Sequence, residues 1–482
     1  MKNKLLNSMK QADNVTTTLN GAVTFKSTLN SVLDFFALGA ALRQRSAVDK
    51  ISLFTKAFAE DSLLAMKALF NVRNIRGGAG ERQAFRDILG HLARQHSNVV
   101  VKNFDNIVKF GRWDDLFVLF GTACESDMLK YISKQLAKDK KTKSTESISL
   151  LAKWMPSINT SSAKTVTLAK RLAKYLELQP REYRKLLSKL RTRINVVEKQ
   201  MSAQDWPSIN YEQVPSRASL LYKDAFKKHD LDRYNAYLAA VNKGTAKINA
   251  GTLYPYDIYD KVRGFGSDNA TVDALWKALP DYMGDNKTNM LVVADVSGSM
   301  MGRPMSISVS LALYIAERNK GAFHNNFITF SEKPKLQTIV GSTVSTKMNN
   351  LERAEWGMST NLQAVFNLIL SHATKSAVPA TDMPSQIIIV SDMEFNHACQ
   401  NTNLESMREK YKSAGYAMPN IVFWNVNSHQ NNVPAKADDK GVLLVSGASP
   451  SVLKTLLSGR LVTPVDQMLE TLNQAMYDSV VV

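Results

Sequence analysis

Asn289-Met-Leu-Val-Val-Ala-Asp-Val-Ser-Gly-Ser-Met300 is the stretch whose reading decides the fold. A short apolar run rich in Val and Leu has the length of a strand buried on both faces, and it breaks off into Asp295, Ser297, Gly298 and Ser299. Polar residues at a spacing of two, in an extended turn, aim one carboxylate and two hydroxyls at a common point. The same grammar recurs downstream. Residues 385–395, 420–427 and 440–447 are further apolar runs that end in Ser, Asn or Asp, and 321–331 and 334–341 read as a strand and an edge strand. Helical patterns over 304–320, 359–375, 449–459 and 466–479 lie between or after them. Strands alternating with helices predict an α/β, doubly wound, mainly parallel sheet whose ligands sit at the carboxyl ends of its strands.

Upstream the pattern changes. From about residue 25 to 250, apolar residues recur at helical spacing over 35–45, 52–73, 82–95, 165–178 and 181–200. Short breaks separate them at 76–82, 111–115, 155–162 and 202–216. No strict period links the segments, which excludes a consensus tetratricopeptide or ankyrin array and predicts an irregular, HEAT-like stack of helix pairs. The expected division is therefore residues 1–285, an all-α helical-repeat module, and residues 286–482, the α/β domain.

Composition narrows the function classes. The chain has 482 residues, 44% of them hydrophobic and 22% charged, as in an ordinary globular protein. No apolar window is long enough for a membrane span, the amino terminus lacks the apolar core of a secretory signal, and the two cysteines, Cys124 and Cys399, form no CxxC motif. These features point to an intracellular, cytoplasmic setting. The net charge of +18 is unevenly spread: residues 1–285 hold 45 Lys/Arg against 28 Asp/Glu, and residues 286–482 hold 16 against 15. Such asymmetry predicts two modules with different partners, one of them a polyanion. Solvated lysine-rich helix faces would give the same count.

Candidate sites follow. Asp295, Ser297 and Ser299 at the first strand end, Thr360 at a helix start and Asp392 at a later strand end supply hard oxygen ligands with little net charge, a set suited to Mg²⁺ or another divalent cation. Lys164 to Lys199 is the richest basic run, with Tyr175, Tyr183 and Trp206 in or after it. Within it Arg171, Lys174, Arg184, Lys185, Lys189, Arg191 and Arg193 are candidate phosphate contacts, with aromatics available to stack bases. Arg76 joins them from the glycine-rich break 76–82, although that break reads more readily as an inter-helix turn than as a phosphate cradle. It has neither the P-loop pattern nor a preceding strand. Trp113 and Trp154 read as pins between helices. His397, close to Asp392 and Glu394, tempts a catalytic dyad and is discounted, and no nucleophile, base and stabiliser assemble; the expectation is not an enzyme.

The order DVSGSM, Thr at a helix start, Asp at a strand end resembles the metal-ion-dependent adhesion site of von Willebrand factor A domains. That resemblance implies hydroxyl ligation by Ser297, Ser299 and Thr360, Asp295 and Asp392 bound directly or through water, and a sixth position for an acidic group of a partner. A helical module followed by such a domain resembles the layout of the Ro autoantigen and its bacterial relatives, the TROVE-module proteins, which bind misfolded and small noncoding RNAs. The chain looks more like a largely uncharacterised TROVE-like family of plants, protists and bacteriophages. The segments that carry this are 74–82, 111–115, 152–156, 183–191, 201–206, 214–216, 222–226 and 246–251. The resemblance implies a nonenzymatic RNA-binding ribonucleoprotein component with a Mg²⁺-dependent site for an acidic protein partner, and it leaves ring closure of the helices open. The alternative is a metal-dependent protein-interaction scaffold, phage-encoded or virion-associated, with no RNA role. A chaperone-like adaptor is a weaker third.

Overall fold

The computed structural model describes residues 9, 12–143, 146–194, 196–262, 269–330, 333–352, 359–456 and 463–482. Two compact units divide it: residues 1–84 with 250–478, and residues 85–249 with 479–482. The first unit holds the sheet, the second is helical, and each is taken alone below.

In the first unit the central sheet has, among the described residues, six strands: β3 (Met290–Ala294), β4 (Asn326–Thr329), β5 (Leu336–Thr338), β6 (Gln386–Ser391), β7 (Asn420–Asn425) and β8 (Val442–Ser446), in the order β5-β4-β3-β6-β7-β8. All neighbours are parallel except the edge strand β5, which pairs antiparallel with β4. Burial explains the sequence grammar. β3, β6 and β8 are buried at every position, because helices cover both faces of a parallel sheet. One face packs Val293, Ile328, Ile389, Phe423 and Leu444 against the helix Leu362–Lys375 through Leu362, Val365 and Phe366. The opposite face carries the helix Arg303–Arg318, buried along most of its length. Apolar side chains buried to this extent each contribute about 1.5–3 kcal/mol relative to exposure.

The boundary of the sheet unit lies elsewhere than at 285/286. The helix Ser31–Leu38 packs on β8, and the helices Pro255–Val262 and Asn269–Lys277 pack on Arg303–Arg318 and Val344–Glu352. Helical periodicity cannot tell a helix that layers a sheet from one that stacks on its neighbours, so the sequence assigned them all to one helical module. The amino-terminal part is also not purely α. A small hairpin of β1 (Val15–Thr17) and β2 (Val23–Phe25) pairs Val15 with Phe25 and Thr17 with Val23. Three-residue strands are too short for alternation to register.

The helical unit consists of consecutive helices joined by short turns, including Glu125–Lys141, Ala163–Tyr175, Pro180–Arg193, Ser216–His229 and Leu231–Asn242. Trp113 and Trp154 act as pins, as expected: Trp113 stacks on Tyr131 at 5.7 Å, and the Arg112 guanidinium lies 4.0 Å over the Trp154 ring. Arg86 is fixed between Asp114 (2.7 Å) and the fully buried Asp115 (2.6 Å). No helix among the described residues is long and apolar enough to cross a membrane.

Candidate metal centre and basic face

The parallel register brings Ala294 opposite Val390, so the residues that follow β3 and those that end β6 emerge side by side. Asp295 is fully buried. Its Oδ1 accepts the Ser297 amide at 2.9 Å and its Oδ2 accepts the Ser391 hydroxyl at 2.5 Å. Ser297 Oγ stands 3.1 Å from Ser299 Oγ, across a single 3-10 turn that precedes the helix Arg303–Arg318. Asp392 is equally buried. Its Oδ1 accepts the Glu394 amide at 3.1 Å, while its Oδ2 is met among the described residues only by the His429 imidazole, at 3.3 Å. Burial, and then the charge of Asp392, push the Asp295 carboxyl up from its ordinary range. Two buried carboxylates that feel each other, one with an oxygen met only by an imidazole, are chemistry for a hard cation.

Thr360 is buried, and its segment is tied to the loop after β6. The Thr360 carbonyl accepts the Asn396 amide at 3.0 Å, and Ser359 Oγ accepts Asn396 Nδ2 at 3.0 Å. Asn361 then caps the helix Leu362–Lys375 by accepting the Ala364 amide. Gly357 and Met358, which opened this element in the sequence, lie outside the described residues. Ser299 faces solvent, and beside it Met301 is 79% exposed. The centre is thus open on one side and bordered there by an apolar side chain.

Two neighbours of this centre were missed in the sequence, His429 and the β1–β2 turn. His429, beyond the end of β7, places Nε2 3.3 Å from Asp392 Oδ2, and the Asp392 carboxylate holds that imidazole above its ordinary pKa. His397, the residue nearer in sequence, is exposed and uses its amide on the Asn20 carbonyl. Glu394 is buried, which pushes its carboxyl up, and its Oε2 accepts the Leu19 amide at 2.6 Å. The β1–β2 turn provides that amide and also bonds the carbonyls of Glu394 and Phe395 through Asn20 and Thr18. Only the order of strands could have signalled His429: β7 neighbours β6, so residues just past its end reach Asp392.

The predicted phosphate contacts separate into distinct environments. Arg76 lies in the sheet unit, exposed on the glycine-rich turn. Backbone amides there are consumed internally: Arg76 and Gly77 donate to Asn74 Oδ1, Gly78 and Gly80 to the Asn74 carbonyl, Ala79 to Asn71 and Glu81 to Val72. Those amides are therefore not free to cradle a phosphate. The turn's glycines answer to packing instead. A Cβ on Gly80, where φ is +68°, would lie 1.7 Å from Tyr254 Oη, and one on Gly78 would lie 2.1 Å from the Asn71 carbonyl. Glu81 accepts the Gln83 amide ahead of the helix Gln83–Gln95 and pairs with Arg43 at 3.3 Å.

The other seven lie in the helical unit. Tyr183, Leu187 and Leu190 are the buried stripe of Pro180–Arg193, so Arg184, Lys185 and Lys189 face outward and are exposed. Lys174 is exposed on Ala163–Tyr175, and Arg171 there stacks on Phe120 and pairs with Glu125. Arg191 and Arg193 are braces. Arg191 donates to the Ala152 and Met155 carbonyls and to Ser157 Oγ, all at 2.8–2.9 Å, and burial lowers its pKa. Arg193 donates to the carbonyls of Asp139, Lys143 and Glu146. Among the aromatics, Tyr183 is buried with its hydroxyl on the Pro156 carbonyl, Trp206 stacks on His229 at 4.5 Å, and Tyr175 is 40% exposed.

Charge follows the units rather than the expected boundary. Residues 85–249 with 479–482 hold 30 Lys/Arg against 16 Asp/Glu, a net of +14, and the sheet unit holds 31 against 27. Most of the chain's +18 therefore belongs to the helical unit.

Comparison with known proteins gives matches along most of the length. Residues 18–143 and 118–287 match the family model described as Domain of unknown function (DUF2828), and residues 289–479 match Domain of unknown function (DUF7788). The two models meet beside the 285/286 division expected from the sequence. The "Uncharacterized protein L728" of Acanthamoeba polyphaga mimivirus is 31% identical, over 95% of this chain and 87% of that protein. Among solved structures, the Deinococcus radiodurans RO (RSR) protein aligns with 90% of this chain and 100% of its own at a TM-score of 0.37 and 14% identity. With DUF2828 spanning its amino-terminal half and a viral relative matching nearly end to end, the chain belongs to the DUF2828 family.

Proposed function

We propose that this chain is an RNA-binding protein that acts by binding rather than by catalysis, and that its helical unit grips the phosphate backbone. The observation that carries the reading is the net +14 of that unit, combined with the outward row Arg184, Lys185 and Lys189 on one helix and Lys174 on another. Cations held on rigid helices neutralise phosphates without sequence preference. Arg193 supports that surface rather than forms it, since its guanidinium holds the chain beneath, whereas Arg191 braces the chain and also lines a groove beside the row. The resemblance of the segments at 183–191 and 201–206 to TROVE modules points the same way.

The sheet unit supplies a second element of the proposal, a divalent-cation adhesion site. Asp295, Ser297, Ser299, Thr360 and Asp392 would hold Mg²⁺, and the observation that favours a cation there is two buried carboxylates that feel each other, with Asp392 Oδ2 met only by the His429 imidazole. When bound, the ion offers a Lewis-acidic position for a partner's carboxylate. Ser391 and the Ser297 amide orient Asp295, and the exposed Met301 offers apolar contact beside the opening. A scaffold that used only this site would need no RNA.

Purification at moderate salt, with the 260/280 nm absorbance ratio read before and after RNase, tests the first element. A high ratio collapsed by RNase supports RNA binding. A clean protein spectrum, with no shift of added RNA at low salt, would move the function to the metal-dependent scaffold. That reading expects EDTA to abolish capture of an acidic partner.

A further inference from the structure

We infer that one nucleotide of a bound RNA strand seats in a groove of the helical unit between the helix Pro180–Arg193 and the segment 153–159. The inference rests on the RNA reading above and locates its strand contact. The groove has a volume of about 580 Å³, within the roughly 300–1,000 Å³ of ligand pockets. Its walls divide by chemistry. Ile158 and Val196, over the buried Leu187, give an apolar surface of a kind that accepts the face of a base, and Arg184, Arg191 and Lys199 give the cationic edge.

The cations differ in how they are held, and the difference suits a phosphate. Arg191 is fixed in the wall by the Ala152 and Met155 carbonyls and Ser157 Oγ, so its charge is pre-organised. Arg184 is exposed and has no hydrogen-bond or ion-pair partner among the described residues, and is therefore free to close on a ligand. Lys199 is also exposed, and its Nζ is held by Thr192 Oγ1. Glu198, the carboxylate of the lining, accepts the Tyr222 hydroxyl at 3.1 Å and leaves acceptor capacity for a base edge. An apolar wall, a fixed cation and a mobile cation form a nucleotide pocket rather than a diffuse basic face. Lys185 and Lys189, on the same helix, do not line it.

Adenosine 5′-monophosphate and a twelve-nucleotide single-stranded oligouridylate are the probes, used with the full chain. Saturation-transfer NMR should show transfer from the protein to the mononucleotide, and the oligonucleotide should displace it. Arg184→Glu/Lys199→Glu and Asn159→Trp, which change exposed or rim positions, should each weaken mononucleotide binding by about tenfold or more. Lys185→Glu/Lys189→Glu should leave it within about twofold while weakening the oligonucleotide several-fold through lost phosphate contacts. Melting curves like those of the wild type establish that the variants are folded.

Absence of transfer in the wild type would overturn the pocket, as would unchanged binding in both groove variants or failure of the oligonucleotide to displace the mononucleotide. Oligonucleotide binding without mononucleotide transfer would remove the groove and leave the RNA reading standing. A mononucleotide lost in both groove variants, with no oligonucleotide bound by the wild type, would remove the RNA reading and with it the strand as occupant.

Discussion

A buried carboxylate needs a cation, a set of donors or a proton, and the residues around β3 and β6 show all three demands. Asp295 has donors from Ser297 and Ser391, yet its carboxyl is still pushed up by burial and by Asp392, whose Oδ2 is met only by the His429 imidazole. Replacing Asp295 with Asn should therefore have opposite effects in two conditions. In EDTA the melting temperature should rise by roughly 2 °C, because a buried like-charge pair has been relieved. In Mg²⁺ the wild type should gain stability by mass action and Asp295→Asn should not. Equal Mg²⁺ shifts in the two proteins, read by differential scanning fluorimetry, would remove Asp295 from the proposed cation site.

Asp114 is the opposite case. Burial alone would raise its carboxyl, but the guanidiniums of Arg86 and Arg112 outweigh that and hold it below its ordinary value. A depressed folded pKa means that the pair stabilises above the unfolded carboxylate range and is lost as pH falls through the folded value. Asp114→Asn should cost about 2 kcal/mol in urea unfolding at pH 7, and the gap to wild type should narrow on acidification. A gap that is constant from pH 7 to pH 3 would contradict the assignment.

At the scale of elements, packing decides what composition alone leaves ambiguous. The glycine-rich turn at 76–82 is compatible in sequence with a phosphate cradle, and only the bonded partners of its amides exclude that role. Gly80→Ala should destabilise by about 3 kcal/mol, since a Cβ there meets Tyr254 in a left-handed backbone. Gly121→Ala shares a left-handed φ (+78°) but has open space, so it should cost only about 1 kcal/mol. Equal losses in chemical denaturation would show that φ, not the contact, dominates. The strand runs were legible because a parallel strand is apolar throughout, and Asp295, Ser297 and Ser299 because their spacing is contiguous. The β1–β2 hairpin, His429 and the bracing roles of Arg191 and Arg193 were not legible. Each depends on which distant backbone passes nearby, and no local periodicity encodes that.

For the whole molecule, charge is the property that survives translation from sequence to structure, and it becomes sharper. The basic excess assigned to residues 1–285 concentrates in residues 85–249, because flanking helices of lower net charge belong with the sheet. Strand patterns in the sequence begin at one boundary; compactness sets another, where helices stop covering the sheet. The proposed RNA function stands on the helical unit, and salt is its natural probe. The most direct measurement is the affinity of the full chain for a labelled single-stranded RNA between 50 and 200 mM salt, by fluorescence anisotropy. If Arg171, Lys174, Arg184, Lys185 and Lys189 each neutralise a phosphate, log affinity should fall with log salt at a slope of about −3.5, and Arg184→Glu/Lys185→Glu/Lys189→Glu should bring the slope to about −1.4. No binding at 50 mM salt, or a slope that the triple reversal leaves unchanged, would contradict the account.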